Sequence, residues 1–286
     1  MYPILFKIGT LPINSYGVAL AISFLLGVSL ATRRSASIGL APAEIADLGV
    51  WVMLAAIAGS RAFYVVTHIQ EFQGHWLDVI AFWKGLYGLS MLGGVLLALA
   101  VGFSFITAKK WPVWQFADAA IPSFALGLFI TRIGCFLNGC CFGSETSSAL
   151  GVVFPAGSLP WQTYGYAPIH PTQLYGSLGG LLLLLYLLAA DRRAHFPGFI
   201  FVAFISLYGV TRFGLEEFRH FDHSTNSILG MSVFAGRNGV TDNQIISLLM
   251  FLAAIVLGLI LHSRHAVGAG ARAVSSPKAR GRGPGR

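Results

Sequence analysis

Residues 241–262 read TDNQIISLLMFLAAIVLGLILH, and no Asp, Glu, Lys or Arg occurs between Asp242 and Arg264. A helix over this stretch rises about 1.5 Å per residue and so crosses a hydrocarbon layer of about 30 Å. It is apolar on every side rather than along one stripe, which marks a membrane span and not a surface helix. Working outward, six more runs have the same character: 16–32, 46–67, 88–108, 113–133, 172–190 and 198–213. Over the 286 residues, 55% are hydrophobic and 10% charged, against about 25% charged in soluble domains. The expected fold is an all-α polytopic membrane protein, a bundle of about seven transmembrane helices with exterior loops and short helices forming a head region. Residues 1–262 are read as a single transmembrane domain and 263–286 as a disordered, basic cytoplasmic tail.

Arg33 and Arg34 follow the first span instead of preceding it, the reverse of a cleavable signal peptide, so that span is expected to stay as an anchor. With alternate connections assigned to opposite sides, twelve Lys and Arg fall on one side and seven on the other. The richer side is read as cytoplasmic, which places Met1 outside, the C-terminus inside, and segments 68–87, 134–171 and 214–240 outside. The net charge of +8 draws on Arg264, Arg272, Lys278, Arg280, Arg282 and Arg286 of the tail. Next to a span, such a tail is explained by topology and anionic lipid, and no nucleic-acid partner is expected.

Charges at membrane depth are expensive, so the ones that remain point to chemistry. Arg132 opens the stretch Arg132-Ile133-Gly134-Cys135-Phe136-Leu137-Asn138-Gly139-Cys140-Cys141-Phe142-Gly143 at the outer end of the fourth span. A guanidinium there suits a lipid phosphate, which it can grip bidentately, or it simply snorkels to the interface. Tyr208, Arg212, Glu216 and Arg219 fall at i, i+4, i+8 and i+11, one polar stripe facing the bundle interior, as a site or as a structural ion-pair ladder. His170, before Pro171 and the fifth span, holds an imidazole at the water boundary, as a base or as a plain hydrogen-bonder. Arg61, beside Gly59 and Tyr64, is a second intramembrane arginine, and Gly93-Gly94 permits close approach of a helix or lipid. Cys135, Cys140 and Cys141 could hold a soft metal with His170, form a disulfide, or lie buried and inert. Their spacing is not that of paired Cys-x-x-Cys knuckles, and no metal ligand is assigned.

Taken in order, these blocks resemble the bacterial phosphatidylglycerol–prolipoprotein diacylglyceryl transferase family, as a variant with a Cys-rich signature loop. The resemblance covers Tyr16-Gly17, Gly59 to Tyr64, Gly88 to Gly94, Arg132 to Gly143, His170 to Tyr175, Tyr208 to Arg219 and Asp242-Asn243-Gln244. It implies transfer of the diacylglyceryl group of phosphatidylglycerol to the lipobox cysteine thiol of a prolipoprotein signal peptide, with a thioether formed and glycerol 1-phosphate released. It also implies the outer face of the bacterial cytoplasmic membrane and no metal or organic cofactor. By resemblance Arg132 binds the lipid phosphate and Arg212 is the second important arginine, while Tyr16, Asn138 and Gly143 fall on motif positions. Arg61, Tyr175, Tyr208, Gly93 and Gly94 complete the expected substrate contacts; Tyr208 and Glu216 are expected to orient Arg212.

Four positions depart from the family pattern: Leu92 stands for a histidine often proposed as base, Cys135 for an asparagine, and Cys140 and Gly176 for glutamates. His170, Tyr175 and Glu216 are then the groups left for the thiol proton, with His170 favoured. The departures also fit a catalytically altered paralogue that binds phospholipid or precursor without transfer. A transporter would carry internal repeats, and none is evident; a thiol oxidoreductase would depend on the three cysteines.

Overall fold

The computed structural model describes residues 1–9, 11–80, 90–193, 195–219 and 241–275. Among them are seven helices long and apolar enough to cross a membrane. They are α1 (Ser15–Ser35), α2 (Pro42–Thr67), α3 (Met91–Ala108), α4 (Val113–Asn138), α6 (Thr172–Ala190), α7 (Phe199–Glu216) and α8 (Asp242–Ser275); α5 (Leu159–Tyr164) is a short helix between α4 and α6. The chain is a multi-pass, all-α membrane protein, as its hydropathy predicts. A small addition precedes α1: strands β1 (Ile4–Ile8) and β2 (Leu11–Asn14) pair antiparallel. Gly9, at φ +60, sits in the connection, where an L side chain would be strained.

Helix ends follow local chemistry. Pro42 begins α2 at a position whose missing N–H costs nothing. Ser158 accepts a hydrogen bond from the Trp161 N–H at the start of α5. Thr241 and Gln244 form a reciprocal capping box at α8: the Thr241 N–H donates to Gln244 Oε1 at 2.9 Å and the Gln244 N–H to Thr241 Oγ1 at 3.2 Å. Several spans run longer than hydropathy alone marks, because helical turns continue past the last apolar residue. Thus α4 reaches Asn138 and α7 reaches Glu216. The last helix continues past His262 to Ser275. Residues 276–286 of the basic tail, residues 85–89 before Ser90, and most of the 214–240 segment lie outside the described residues.

Two compact units make up the chain: residues 27–120, and residues 1–26 with 121–286. In the first, α2 and α3 pack through small residues. A methyl added at Gly59 would strike the Gly93 carbonyl, and one at Gly94 would strike Ser60 Oγ and the Ala56 carbonyl. Such close backbone approach gives helices in lipid the dispersion contacts that water cannot drive. Arg61 belongs to this unit; its Nε donates to the Val79 carbonyl at 2.9 Å and its guanidinium lies over the Phe72 ring at 5.3 Å. Arg34, at the end of α1, donates to the carbonyls of Ala119 (3.0 Å) and Asp118 (3.4 Å) on α4. Pro122 lies four residues after Asp118 inside α4 and cannot supply the usual helical N–H, so the arginine serves a carbonyl that the proline leaves open.

The second unit places the head. Residues 139–171 fold over a small core of Phe142, Phe154 and Ile169, with Met1, Phe136, Val152 and Tyr164 against it. On α6, Gly176 and Gly180 are one turn apart on a small-xxx-small face, and α4 lies directly on it. A methyl at Gly180 would meet the Phe129 nitrogen at 2.7 Å, and Ser177 Oγ donates to the Phe129 carbonyl at 2.9 Å.

The packing of the first unit makes a specific expectation. Gly59→Ala should destabilise the detergent-solubilised protein by about 1–3 kcal/mol through overpacking. Gly102→Ala, where a methyl meets only Val52 Cγ2 at 3.5 Å, should leave stability unchanged or slightly higher. Melting temperatures of the two variants decide; equal shifts would remove the close-approach argument.

Candidate functional site

The α4–α6 contact carries Arg132 to the side of Gly176, where a Cβ would stand 3.4 Å from Arg132 Cδ and Nε. On α7, Tyr208 and Arg212 are one turn apart and face the same space. A cavity of about 50 Å³ results, lined by Arg132, Tyr175, Gly176, Tyr208, Thr211 and Arg212 together with leucines and glycines of α4, α6 and α7. That is room for a few water-sized groups, the scale of a headgroup phosphate and not of an acyl chain. Two arginines from different helices, Arg132 and Arg212, line this one cavity.

Behind the cavity Glu216, 1% exposed, pairs through Oε2 with Arg212 Nη1, one turn earlier on α7. Arg219 Nη1 stands 3.6 Å from the same oxygen. The second carboxylate oxygen accepts from Asn243 Nδ2 at 2.7 Å, and Gln244 Nε2 reaches Glu217 Oε1 at 2.5 Å. The capping box that starts α8 therefore also sets Asn243 against Glu216. The predicted stripe is real in composition but not a single helical ladder: α7 ends at Glu216, and Arg219 lies beyond it, in a bridge with Gly143. Burial, then the like charge of Arg212, pulls the Arg219 guanidinium below its ordinary value, while Glu216 opposes this. Three guanidiniums within mutual electrostatic reach, set against one buried carboxylate, leave a net positive site.

His170 stands at the rim. Its Nδ1 is 3.2 Å from the Tyr175 hydroxyl, and its ring packs edge-on to Phe218 at 5.0 Å and to Tyr175 at 6.0 Å. Tyr175 in turn lines the cavity, so His170 reaches it through a phenol. Pro171 is the N-cap of α6 and not its first helical residue, as its ψ of 65 shows, so the chain turns sharply between His170 and the helix. Gly143 sits where three backbone segments cross: its N–H donates to the His170 carbonyl at 3.0 Å, and a Cβ would strike the carbonyls of His170 and Phe218. It positions His170 and Arg219 and does not line the cavity. Tyr16, at the start of α1, is within electrostatic range of Arg132 and of all three cysteines. Asn138 ends α4 and reaches toward Cys140.

The sequence reading gave no structural role to Gly176, which it named only as a departure from the family pattern, or to Thr172, Gln173 and Asn243, which it named only within motifs. Gly176 and Gly180 were open to it as a small-xxx-small pair. Thr172 and Gln173 were not, because their partners are backbone carbonyls 31 and 33 residues away. Arg61, Gly93 and Gly94 lie in the 27–120 unit with the contacts given above.

The family model for prolipoprotein diacylglyceryl transferase matches residues 3–260. A phosphatidylglycerol–prolipoprotein diacylglyceryl transferase of Synechococcus elongatus is 36% identical over 67% of this chain and 65% of its own length. Enzymes of the same name from Geobacter sulfurreducens and Clostridium tetani are 31% and 30% identical, over 93% and 82% of this chain and 97% and 92% of theirs.

The buried ion pair can be tested by itself. Arg212→Leu strips Glu216 of its closest partner and should cost on the order of 3 kcal/mol, whereas adding Glu216→Gln should recover most of that loss. Unfolding of both variants in detergent reads the difference; equal stabilities would mean that Glu216 does not need the pair.

Proposed function

The chain belongs to the prolipoprotein diacylglyceryl transferase family, and from this we propose how its own residues carry the reaction. The activity is transfer of the diacylglyceryl group of phosphatidylglycerol to a prolipoprotein, the first step of lipoprotein maturation. The acceptor is the thiol of a lipobox cysteine in the precursor's signal peptide. Its sulfur attacks the glycerol carbon that carries the phosphate; the carbon–sulfur bond of a thioether forms as the carbon–oxygen bond breaks. Glycerol 1-phosphate leaves with the bonding pair, and the thiol proton passes to a base or to solvent.

Charge therefore gathers on the phosphate as the bond breaks, and the site is built for that. Arg132 and Arg212 line one cavity of phosphate size, which is the observation that carries the reading. Arg132 takes the phosphate directly. Arg212 is oriented by Glu216 and presents its remaining N–H donors to the same space. Fixed donors in a low-dielectric site act most strongly on the charge that develops in the transition state. Tyr208 and Tyr175 add hydroxyls along the cavity wall, with Tyr16 within electrostatic reach of Arg132 and Asn138 at the end of α4.

His170 is the proton acceptor of this proposal, directly or through the Tyr175 hydroxyl. Both carboxylate oxygens of Glu216 are occupied, which fits it for orienting Arg212 and not for taking a proton. The site lies at the outer face of the bacterial cytoplasmic membrane, with Met1 outside and the C-terminus inside. Support comes from the positive-side count and from the chain direction: α4 and α7 end, and α6 and α8 begin, at the site. No metal or organic cofactor enters any step.

Purified protein, phosphatidylglycerol and a lipobox peptide provide the test. The peptide should gain the mass of one diacylglyceryl group, and Arg132→Ala should lower the rate by about 100- to 1000-fold. A variant that keeps a tenth or more of the wild-type rate would remove the phosphate role of Arg132. Absence of transfer by the wild-type protein, with phospholipid still bound, would favour a binding paralogue instead. His170→Ala should slow transfer measurably; a variant that keeps the full wild-type rate would return the proton to solvent.

A further inference from the structure

Cys135 lies in the last turn of α4, and Cys140 and Cys141 follow just beyond its end. By spacing alone they could point anywhere. In the fold their three sulfur atoms all lie within 4.8 Å of one another. The backbone is bent to bring this about: Gly139 has φ +82 and Cys141 φ +59, the latter a conformation that an L side chain rarely adopts.

Two buried side chains hold that bend. Thr172 Oγ1 donates to the Cys141 carbonyl at 2.8 Å and Gln173 Nε2 to the Cys140 carbonyl at 2.8 Å. Thr172 is 2% exposed and Gln173 fully buried, and Gln173 Oε1 has no hydrogen-bond partner among the described residues. A chain that simply turned at the end of a helix would not need its unfavourable residue clamped from the next span. We propose that Cys135, Cys140 and Cys141 form a three-thiolate site for a thiophilic d10 metal ion, of the Zn²⁺, Cd²⁺ or Cu⁺ class.

Distance, charge and ligand type agree. Metal–sulfur bonds of about 2.3 Å put three ligating sulfurs about 3.8–4.0 Å apart, so the cluster needs to close by no more than about 1 Å. Thiolates select soft d10 ions over Mg²⁺ or Ca²⁺. A divalent ion with three thiolates carries a net charge of −1, and Arg132 and Arg219, both close enough to act on Cys141, favour that anionic complex. Binding forms three metal–sulfur bonds, and the protons still on sulfur leave to solvent. The site itself does not rest on the phosphate reading of Arg132. One consequence does: an anionic complex beside Arg132 and Arg219 weakens their field, so transfer by the loaded enzyme should fall.

The probe is Cd²⁺ added to the full-length protein in detergent, reduced with a phosphine that is then removed. One ion per chain should bind with a thiolate-to-cadmium charge-transfer band, and X-ray absorption should find three sulfur neighbours. Cys135→Ser, Cys140→Ser and Cys141→Ser should each weaken binding by about 100-fold or more, counted only for variants that melt like the metal-free parent. The absorption spectrum of the unmodified protein keeps the test decisive if none does. The proposal is overturned by binding that survives the serine substitutions, by a shell of oxygen and nitrogen neighbours, or by no uptake although three free thiols are counted. It is also overturned if the protein as isolated holds a disulfide and one thiol and takes up no metal after reduction. Transfer that is unchanged on loading would overturn the coupling to the arginines and leave the metal site standing.

Discussion

A carboxylate buried to 1% exposure sets the terms for this molecule. Removing Glu216 from water costs several kcal/mol, and nothing in hydrocarbon returns that except partners at hydrogen-bond distance. The chain supplies them from three directions: Arg212 from the same helix, Arg219 from the segment after it, and Asn243 from the first turn of α8. Satisfying one side chain therefore fixes where α7 stops, where α8 starts and how the head segment crosses. The crossing at Gly143, which holds both His170 and Arg219, inherits its register from the same constraint.

The second constraint is steric. Lipid tails are as apolar as leucine, so helices gain nothing by hiding leucines from them and approach instead where side chains are small. Gly59 with Gly93 does this for α2 and α3, Gly180 with Phe129 for α6 and α4, and Gly209 with the Ser247 carbonyl for α7 and α8. In the second unit these contacts are functional geometry as well as packing. Gly180 draws α4 onto α6, and one turn away Gly176 leaves the space that the Arg132 side chain fills.

The spans were legible because apolar runs and turn residues alternate so sharply; the helix at Thr172–Ala190 matches its sequence limits residue for residue. Arg132 and Arg212 were legible for the opposite reason, as charges where charge is costly. What the sequence concealed depends on backbone carbonyls and on capping geometry, which side-chain patterns do not encode. The hairpin before α1, the clamp of Thr172 and Gln173 on Cys141 and Cys140, and the service of Arg34 to the carbonyl opposite Pro122 are of this kind. The gathering of the three thiols at one point was concealed for the same reason. Metal-site spacing rules assume a local knuckle, and here a left-handed turn beyond a helix end does the gathering.

By resemblance Leu92 stands where the family pattern has a histidine, and magnitudes decide how much a missing base would matter in the proposed reaction. A free thiol with a pKa near 8.5 is already about one tenth ionised at pH 7.5, so a missing base withholds at most about tenfold, near 1.4 kcal/mol. Each well-placed donor to a charge that grows in the transition state contributes more, about 100- to 1000-fold. The leaving phosphate, not the entering thiol, is then the harder half of the reaction. In the proposed mechanism the loss of a base is therefore a smaller change than the loss of either arginine would be. This chain keeps Arg132 and Arg212 on one cavity, adds Arg219 within their reach, and retains His170 beside Tyr175 at its rim.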